Sequence, residues 1–276
     1  MKRRNFLKSS GLTAAGLMLS PLVQATGKRR LEQIGIQLYT VRDLMARDSA
    51  GTLEALAAIG YDEVELAGFH GHSPADVRAM LDNTGLAAPS GHVLVESILS
   101  SSVQIIEAAQ VVGLKYLVLG WLEPEERKSL DDYRRLAELC NRFGEQCRMA
   151  GIQFAYHNHE FEFERLEDQR PMDLLLAKTD DSLMKVELDF YWIAFAGADP
   201  FEYFVKYPGR FPLCHIKDMA IDRKMVDVGA GTIDFSSLFS AGKQAGLVHY
   251  FIERDDSPDP MATAAASYAA VRQIVF

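Results

Sequence analysis

Gly151-Ile152-Gln153-Phe154-Ala155-Tyr156-His157-Asn158-His159-Glu160-Phe161-Glu162 is the stretch whose reading decides the fold. The glycine stands where a helix has to stop in a left-handed conformation, and the apolar run after it reads as a buried strand. The strand then ends in imidazoles and carboxylates. A unit of helix, glycine, apolar strand and polar end is the building block of an α/β protein with a parallel sheet.

The unit recurs outward in both directions. Strands are predicted at Ile34–Thr40, Glu63–Leu66, Ala87–His92, Tyr116–Leu119, Gln153–His157, Met184–Asp189, Pro212–His215 and Tyr250–Glu253. Helices are predicted between them at Ser49–Ile59, Ser73–Thr84, Ser102–Val112, Leu130–Ala150, Met172–Leu176, Phe201–Phe204 and Ile233–Ala245. Gly60, Gly85, Gly113, Gly151 and Gly246 close helices ahead of strands. Eight strands with helices between them match a (β/α)₈ TIM barrel, expected as a single domain over residues 31–276. An open doubly wound sheet would carry a Gly-rich phosphate turn after its first strand, and Val41-Arg42-Asp43 follows here instead. Gly229-Ala230-Gly231 has too few elements for a dinucleotide fingerprint and reads as a turn.

Composition narrows the function. The chain has 276 residues, is 48% hydrophobic and 24% charged, and carries a formal charge of −9. That is enough apolar material for a core, and the acidic balance argues against a nucleic-acid partner. Cys140, Cys147 and Cys214 lack the spacing of a zinc or redox motif and read as core fillers.

Residues 1–25 differ from the rest. Lys2-Arg3-Arg4-Asn5-Phe6-Leu7-Lys8 is followed by the charge-free stretch Ser9 to Val23 and by Gln24-Ala25. This segment resembles a twin-arginine export signal, which implies the export machinery as a partner and a periplasmic or otherwise exported protein. The apolar part is too short and too diluted for a permanent membrane span. Removing the segment would take away four basic residues and leave a more acidic chain.

In a barrel, polar residues at the carboxyl ends of strands converge on one site. Strand five ends in Tyr156-His157-Asn158-His159, strand six in Glu187-Leu188-Asp189, strand seven in His215-Ile216-Lys217-Asp218 and strand eight in Glu253-Arg254-Asp255. Isolated buried charges are costly, and a divalent cation supplies the compensation; Mn²⁺, Mg²⁺, Co²⁺ and Zn²⁺ all suit mixed oxygen and nitrogen ligands.

Leu188-Asp189, His215-Ile216-Lys217-Asp218, the loop Val228 to Phe235 and Ile252-Glu253 together resemble the xylose isomerase-like family of sugar isomerase and epimerase barrels. That family also includes endonuclease IV and inositol-catabolic enzymes. The resemblance implies metal ligands on strands five to eight. Asp189, His215 and Glu253 take the last three places, and spacing favours His157 for the first. The family typically has a glutamate at that place, so Glu160 and Glu162 remain alternatives; both lie further into the loop, about where relatives place a substrate-binding or acid/base carboxylate. Glu162 is expected as acid/base together with Glu253. Lys217 is expected either to stabilise an oxyanion or to pair with Asp189 or Asp218. Gln37, His92, His159 and Trp192 are expected to bind substrate, with packing as the alternative role for each. Trp192 stands where epimerases have a histidine, which argues against simple ketose 3-epimerisation.

The implied activity is a metal-dependent sugar isomerase or epimerase working through a metal-bound enediolate on a small carbohydrate. The alternatives are a 3-keto-glycoside lyase or hydrolase, an inosose-type dehydratase on the same barrel, and a non-catalytic sugar-binding barrel. Self-association into a homo-oligomer is left open.

Overall fold

The computed structural model describes residues 28–276. The expected signal segment, residues 1–25, lies outside the described residues.

Apolar alternation places the strands at β1 (Gly35–Gln37), β2 (Glu63–Leu66), β3 (Ala87–Leu94), β4 (Tyr116–Trp121), β5 (Gln153–His157), β6 (Met184–Asp189) and β7 (Leu213–Ile216). A two-stranded hairpin of β8 (Asp218–Met219) and β9 (Met225–Val226) follows, and then the last barrel strand, β10 (His249–Ile252). The eight long strands are all parallel and close in the order β1-β10-β7-β6-β5-β4-β3-β2. Closure rests on the β1–β10 pairing, with Gly35 opposite Phe251 and Ile36 opposite Ile252. Gly35 is required there because a Cβ would stand 2.4 Å from the Phe251 ring.

Around the strands run α1 (Arg42–Arg47), α2 (Ser49–Ile59), α3 (Pro74–Thr84), α4 (Val95–Val112), α5 (Leu130–Met149), α6 (Pro171–Lys178), α7 (Phe190–Phe195), α8 (Pro200–Lys206), α9 (Phe235–Ser240), α10 (Gly242–Ala245) and α11 (Pro260–Val271). The five helix-ending glycines all carry positive φ, from 75° to 116°. No helix among the described residues is long and apolar enough to cross a membrane.

Side chains alternate between two cores. Outward residues such as Ile36, Val64, Phe154, Tyr156, Val186 and Leu188 pack against the helices in one large apolar layer. Inward, among the described residues, buried Val118, Ala155, Leu213 and Phe251 form a small apolar plug with half-buried Tyr116 packed against it.

Differences from the sequence-based expectation have local causes. The first strand ends at Gln37 instead of Thr40, because the Gln37 side chain accepts from the Tyr39 amide and starts a short 3₁₀ turn, Leu38–Val41. The third helix between strands begins at Val95 and kinks at Ser101. The expected helix Ile233–Ala245 splits into α9 and α10. Helices α1, α7 and α11 and the β8–β9 hairpin were not expected at all. α7 exists because the Asp189 carboxylate caps it, accepting from the amides of Tyr191 and Trp192 at 2.8 and 3.0 Å.

Candidate metal centre and active site

The period of two along each strand decides which residues meet. Glu187 and Asp189 share the inward face of β6, His215 and Lys217 that of β7 and its continuation, and Glu253 and Asp255 the same line beyond β10. His92 of β3 and His157 of β5 join them. Gly120 makes this possible on the β4 side, because a Cβ there would meet His92 Nδ1 at 2.2 Å. Glu65, Glu187, Asp189 and His215 are fully buried, and His157, Lys217 and Glu253 nearly so.

Two overlapping ligand sets result, His157, Asp189, His215 and Glu253 above, and His92, His157, Glu187 and His215 below. The upper set fits a cation by the atoms it leaves without a hydrogen bond. Asp189 Oδ1 is spent on the α7 cap, while Oδ2 and Glu253 Oε2 have the Lys217 ammonium as an ion-pair neighbour but no hydrogen bond, and His215 Nδ1 and His157 Nδ1 have no hydrogen-bond partner. His215 Nδ1 and Glu253 Oε2 stand 2.8 Å apart without hydrogen-bond geometry, as two ligands of one ion would. In the lower set His92 Nε2 donates to Glu187 Oε2 at 2.9 Å, while Glu187 Oε1 is left without a hydrogen-bond partner.

Lys217 enters from the side. Its ammonium lies 2.7 Å from Glu253 Oε2, 3.1 Å from Asp189 Oδ2 and 3.0 Å from Asp255 Oδ1. Burial opposes its charge, but these three carboxylates hold its pKa well above the usual lysine value. Burial likewise opposes ionisation of Glu253, yet Lys217 and His215 hold its pKa low. Burial pushes Asp189 up, and Asp255 up to about 6, both partly offset by Lys217. Burial would lower His92 and His215, but the surrounding carboxylates raise His92 to about 10 and His215 well above its ordinary value. Burial, with other cationic groups nearby, keeps His157 and His159 neutral. Carboxylates outnumber the cationic groups, a surplus that a divalent ion would offset.

Above this cluster opens a cavity of about 550 Å³. Its inner wall is His92, His157, Lys217 and Glu253; His159, Trp121 and Trp192 form an aromatic side, and Tyr39, Leu94 and Glu123 the rim. His159 meets the Trp121 ring edge-on at 4.7 Å, and Lys217 Nζ lies 5.5 Å from the Trp192 ring. An opening of about 470 Å³ at the opposite end, lined by Glu63, Leu86, Pro89 and His249 among others, has no such set of ligand types among the described residues.

The structure brings His157, Asp189, His215, Lys217 and Glu253 together as expected, with His92, His159 and Trp192 on the cavity wall. Two expected residues stand elsewhere. Glu162 is not in the cavity: it is fully buried behind β5, where the Tyr156 hydroxyl donates to Oε1 and the His159 amide to Oε2 at 2.8 Å. Tyr156 points outward among the helices, so the partner of its hydroxyl does too. Burial raises Glu162 to about 8. Glu160, not Glu162, reaches the cavity. Gln37 lies under the site, donating from Nε2 to Glu65 Oε2 at 2.7 Å. Lys217 pairs with Asp189 and not with Asp218, whose carboxylate accepts from the amides of Gly229 and Gly231.

Glu65 escaped the sequence reading, and Glu187 and Asp255 stood in the strand ends quoted there without a role assigned to them. The signal was present in the period of two, because Glu63 and Glu65, Glu187 and Asp189, and Glu253 and Asp255 are carboxylate pairs on one strand face.

A buried set of imidazoles and carboxylates at the carboxyl end of a closed parallel barrel, open to a cavity with aromatic walls, defines a cation-binding catalytic barrel of the sugar isomerase, epimerase and dehydratase kind. Comparison with known proteins agrees: the family model for the xylose isomerase-like TIM barrel matches residues 53–273, and the chain belongs to that family. An inosose dehydratase of Geobacillus kaustophilus (strain HTA426) is 24% identical over 228 residues, 68% of this chain and 73% of that one. The crystal structure of a sugar phosphate isomerase/epimerase from Parabacteroides distasonis ATCC 8503 superposes with a TM-score of 0.74 at 26% identity, over 91% of this chain and 97% of the other. A structure described as IOLI protein with a binding zinc atom superposes at 0.71 with 15% identity, covering 88% and 97%, a likeness of fold.

Proposed function

We propose that the protein is a divalent-cation-dependent dehydratase, or related lyase, acting on an uncharged keto-polyol or keto-sugar of the inosose type. The observation that carries this reading is the pairing of Glu253 and Lys217, a carboxylate and an ammonium 2.7 Å apart on one cavity wall. Elimination needs a base for the C–H beside the ketone and an acid for the departing β-hydroxyl, and both can act from one face of the ring. Epimerisation needs a second proton donor on the opposite face, and Glu162, the expected second carboxylate, is withdrawn behind β5. The match to an inosose dehydratase supports the same side.

In this reading Glu253 takes the α-proton, and the electron pair left on carbon forms the enediolate. As that pair forms the new double bond, the C–O bond to the β-hydroxyl breaks and Lys217 protonates the oxygen, so that water leaves. His157, Asp189, His215 and Glu253 would hold the cation, which when bound would supply Lewis acidity toward a substrate carbonyl. His92, His159 and Trp192 hold hydroxyls and the ring face, and the neutral imidazole of His159 accepts or donates without adding charge.

The test is incubation of cation-loaded protein with an inosose in deuterated water. The expected outcome is loss of water and the ultraviolet absorbance of a conjugated product. Deuterium uptake at carbon without loss of water would favour the isomerase or epimerase instead. We also propose that residues 1–25 direct export; replacing Arg3 and Arg4 together by lysine should retain the protein in the cytoplasm in a fractionation assay.

A further inference from the structure

Beneath the upper ligand set lies a carboxylate that neither the elimination chemistry nor any ligand set among the described residues uses. Glu65 of β2 is fully buried and held from three strands. Its Oε1 accepts from the Ser90 hydroxyl of β3; its Oε2 accepts from Gln37 Nε2 of β1 at 2.7 Å and lies 2.7 Å from His215 Nε2 of β7. The Gln37 amide is itself oriented, because its Oε1 accepts from the Tyr39 amide at 3.0 Å. Glu65 therefore has little freedom to turn away from His215.

An ionised carboxylate only accepts, so the 2.7 Å contact places a hydrogen on His215 Nε2. An imidazole that ligates a cation gives up the proton on the ligating nitrogen and keeps one N–H, so with that hydrogen on Nε2 it is Nδ1 that offers its lone pair. Nδ1 is the atom that faces Glu253 Oε2 at 2.8 Å and Asp189 Oδ2 at 3.8 Å. Glu187 Oε2 is the other acceptor near Nε2, but it lies farther away, at 3.2 Å, and is engaged by His92 at 2.9 Å. We propose that Glu65 is a positioning residue that holds His215 in its Nε2–H tautomer and so presents Nδ1 to a divalent cation. Gln37 and Ser90 act through Glu65 by fixing its two oxygens. Carboxylates placed behind ligand histidines tune metal affinity in this way.

The inference rests on the cation reading above but not on the reaction assigned to it. The experiment uses the full chain, zinc as the probe and two readouts. In zinc-loaded protein carrying ¹⁵N-labelled histidine, nuclear magnetic resonance should show His215 with its hydrogen on Nε2; a signal from the Nδ1–H form would overturn the proposal without any variant. Chelator competition should show zinc bound about 10- to 100-fold more weakly by Glu65→Leu. Glu65→Gln, whose amide oxygen still accepts, should lie between Glu65→Leu and the parent. Parent-like zinc affinity in a folded Glu65→Leu variant would also overturn it. A parent protein that binds no zinc, manganese or cobalt would sink the cation reading itself, whereas failure to dehydrate an inosose would leave these measurements standing.

Discussion

The two sides of the same strands differ sharply. Outward, Phe154, Tyr156, Val186, Leu188 and their neighbours form a continuous apolar layer against the helices. Inward, four apolar side chains make a plug and the space above it is given to carboxylates, imidazoles and one ammonium. A barrel held by its outer layer can carry an interior that costs stability, because hydrophobic burial scales with the area removed from water and most of that area lies outside the strands. Buried ion pairs contribute little or nothing net compared with apolar packing. The interior is therefore free to be shaped by chemistry.

Phe154→Ala tests the outer side with the largest expected effect. It should cost about 3–5 kcal/mol in denaturant unfolding, as large-to-small core substitutions do. Its cation affinity at low temperature should stay near that of the parent; a selective loss of cation affinity without loss of stability would break the division between the two sides.

Lys217→Met tests the inner side. Removing the ammonium from Glu253, Asp189 and Asp255 should lower turnover about 10²- to 10³-fold, equivalent to about 2.7–4 kcal/mol of transition-state stabilisation. Circular dichroism should remain that of the parent. Unfolding would show that the interior charges also carry the fold.

Glu162 sharpens the comparison because it is a carboxylate on the wrong side, placed in the outer layer. Its folded-state pKa is raised by burial to about 8 from an ordinary value of 4.5. Between those values the folded chain keeps a proton that the unfolded chain has lost, so this group lowers stability as pH rises from about 4.5 to about 8, and no further above that. Glu162→Gln should flatten that part of the stability profile, read by thermal unfolding across the window. An unchanged slope would mean that the carboxylate is ionised in the fold.

The smallest effect belongs to the periphery. Ser73 caps α3 in a capping box with Asp76, its Oγ accepting from the Asp76 amide at 3.2 Å. Ser73→Ala should cost about 1 kcal/mol and leave cation binding unaltered.

What was legible in the chain follows this division. Outer-layer strands are apolar runs bounded by glycine, so β5 and β6 are found at their full extent, Gln153–His157 and Met184–Asp189. Segments governed by one side chain rather than by periodicity were not. The turn after β1 depends on the Gln37 amide and α7 on the Asp189 carboxylate, and neither leaves a repeating pattern. Glu162 shows the same limit at the site. Its place in the chain, just beyond a strand end, suits a catalytic carboxylate, but the Tyr156 hydroxyl draws it outward.

The order of residues by itself determined that eight apolar strands alternate with helices and that His157, Asp189, His215, Lys217 and Glu253 stand at strand ends, because strand period and helix-stop glycines are local properties. Only the closed barrel decided which of those groups face one another, that Glu65 sits under His215 and that Glu162 faces away. Those relations join residues up to 150 positions apart, as His215 and Glu65 are, and follow from the register between strands that no local pattern specifies.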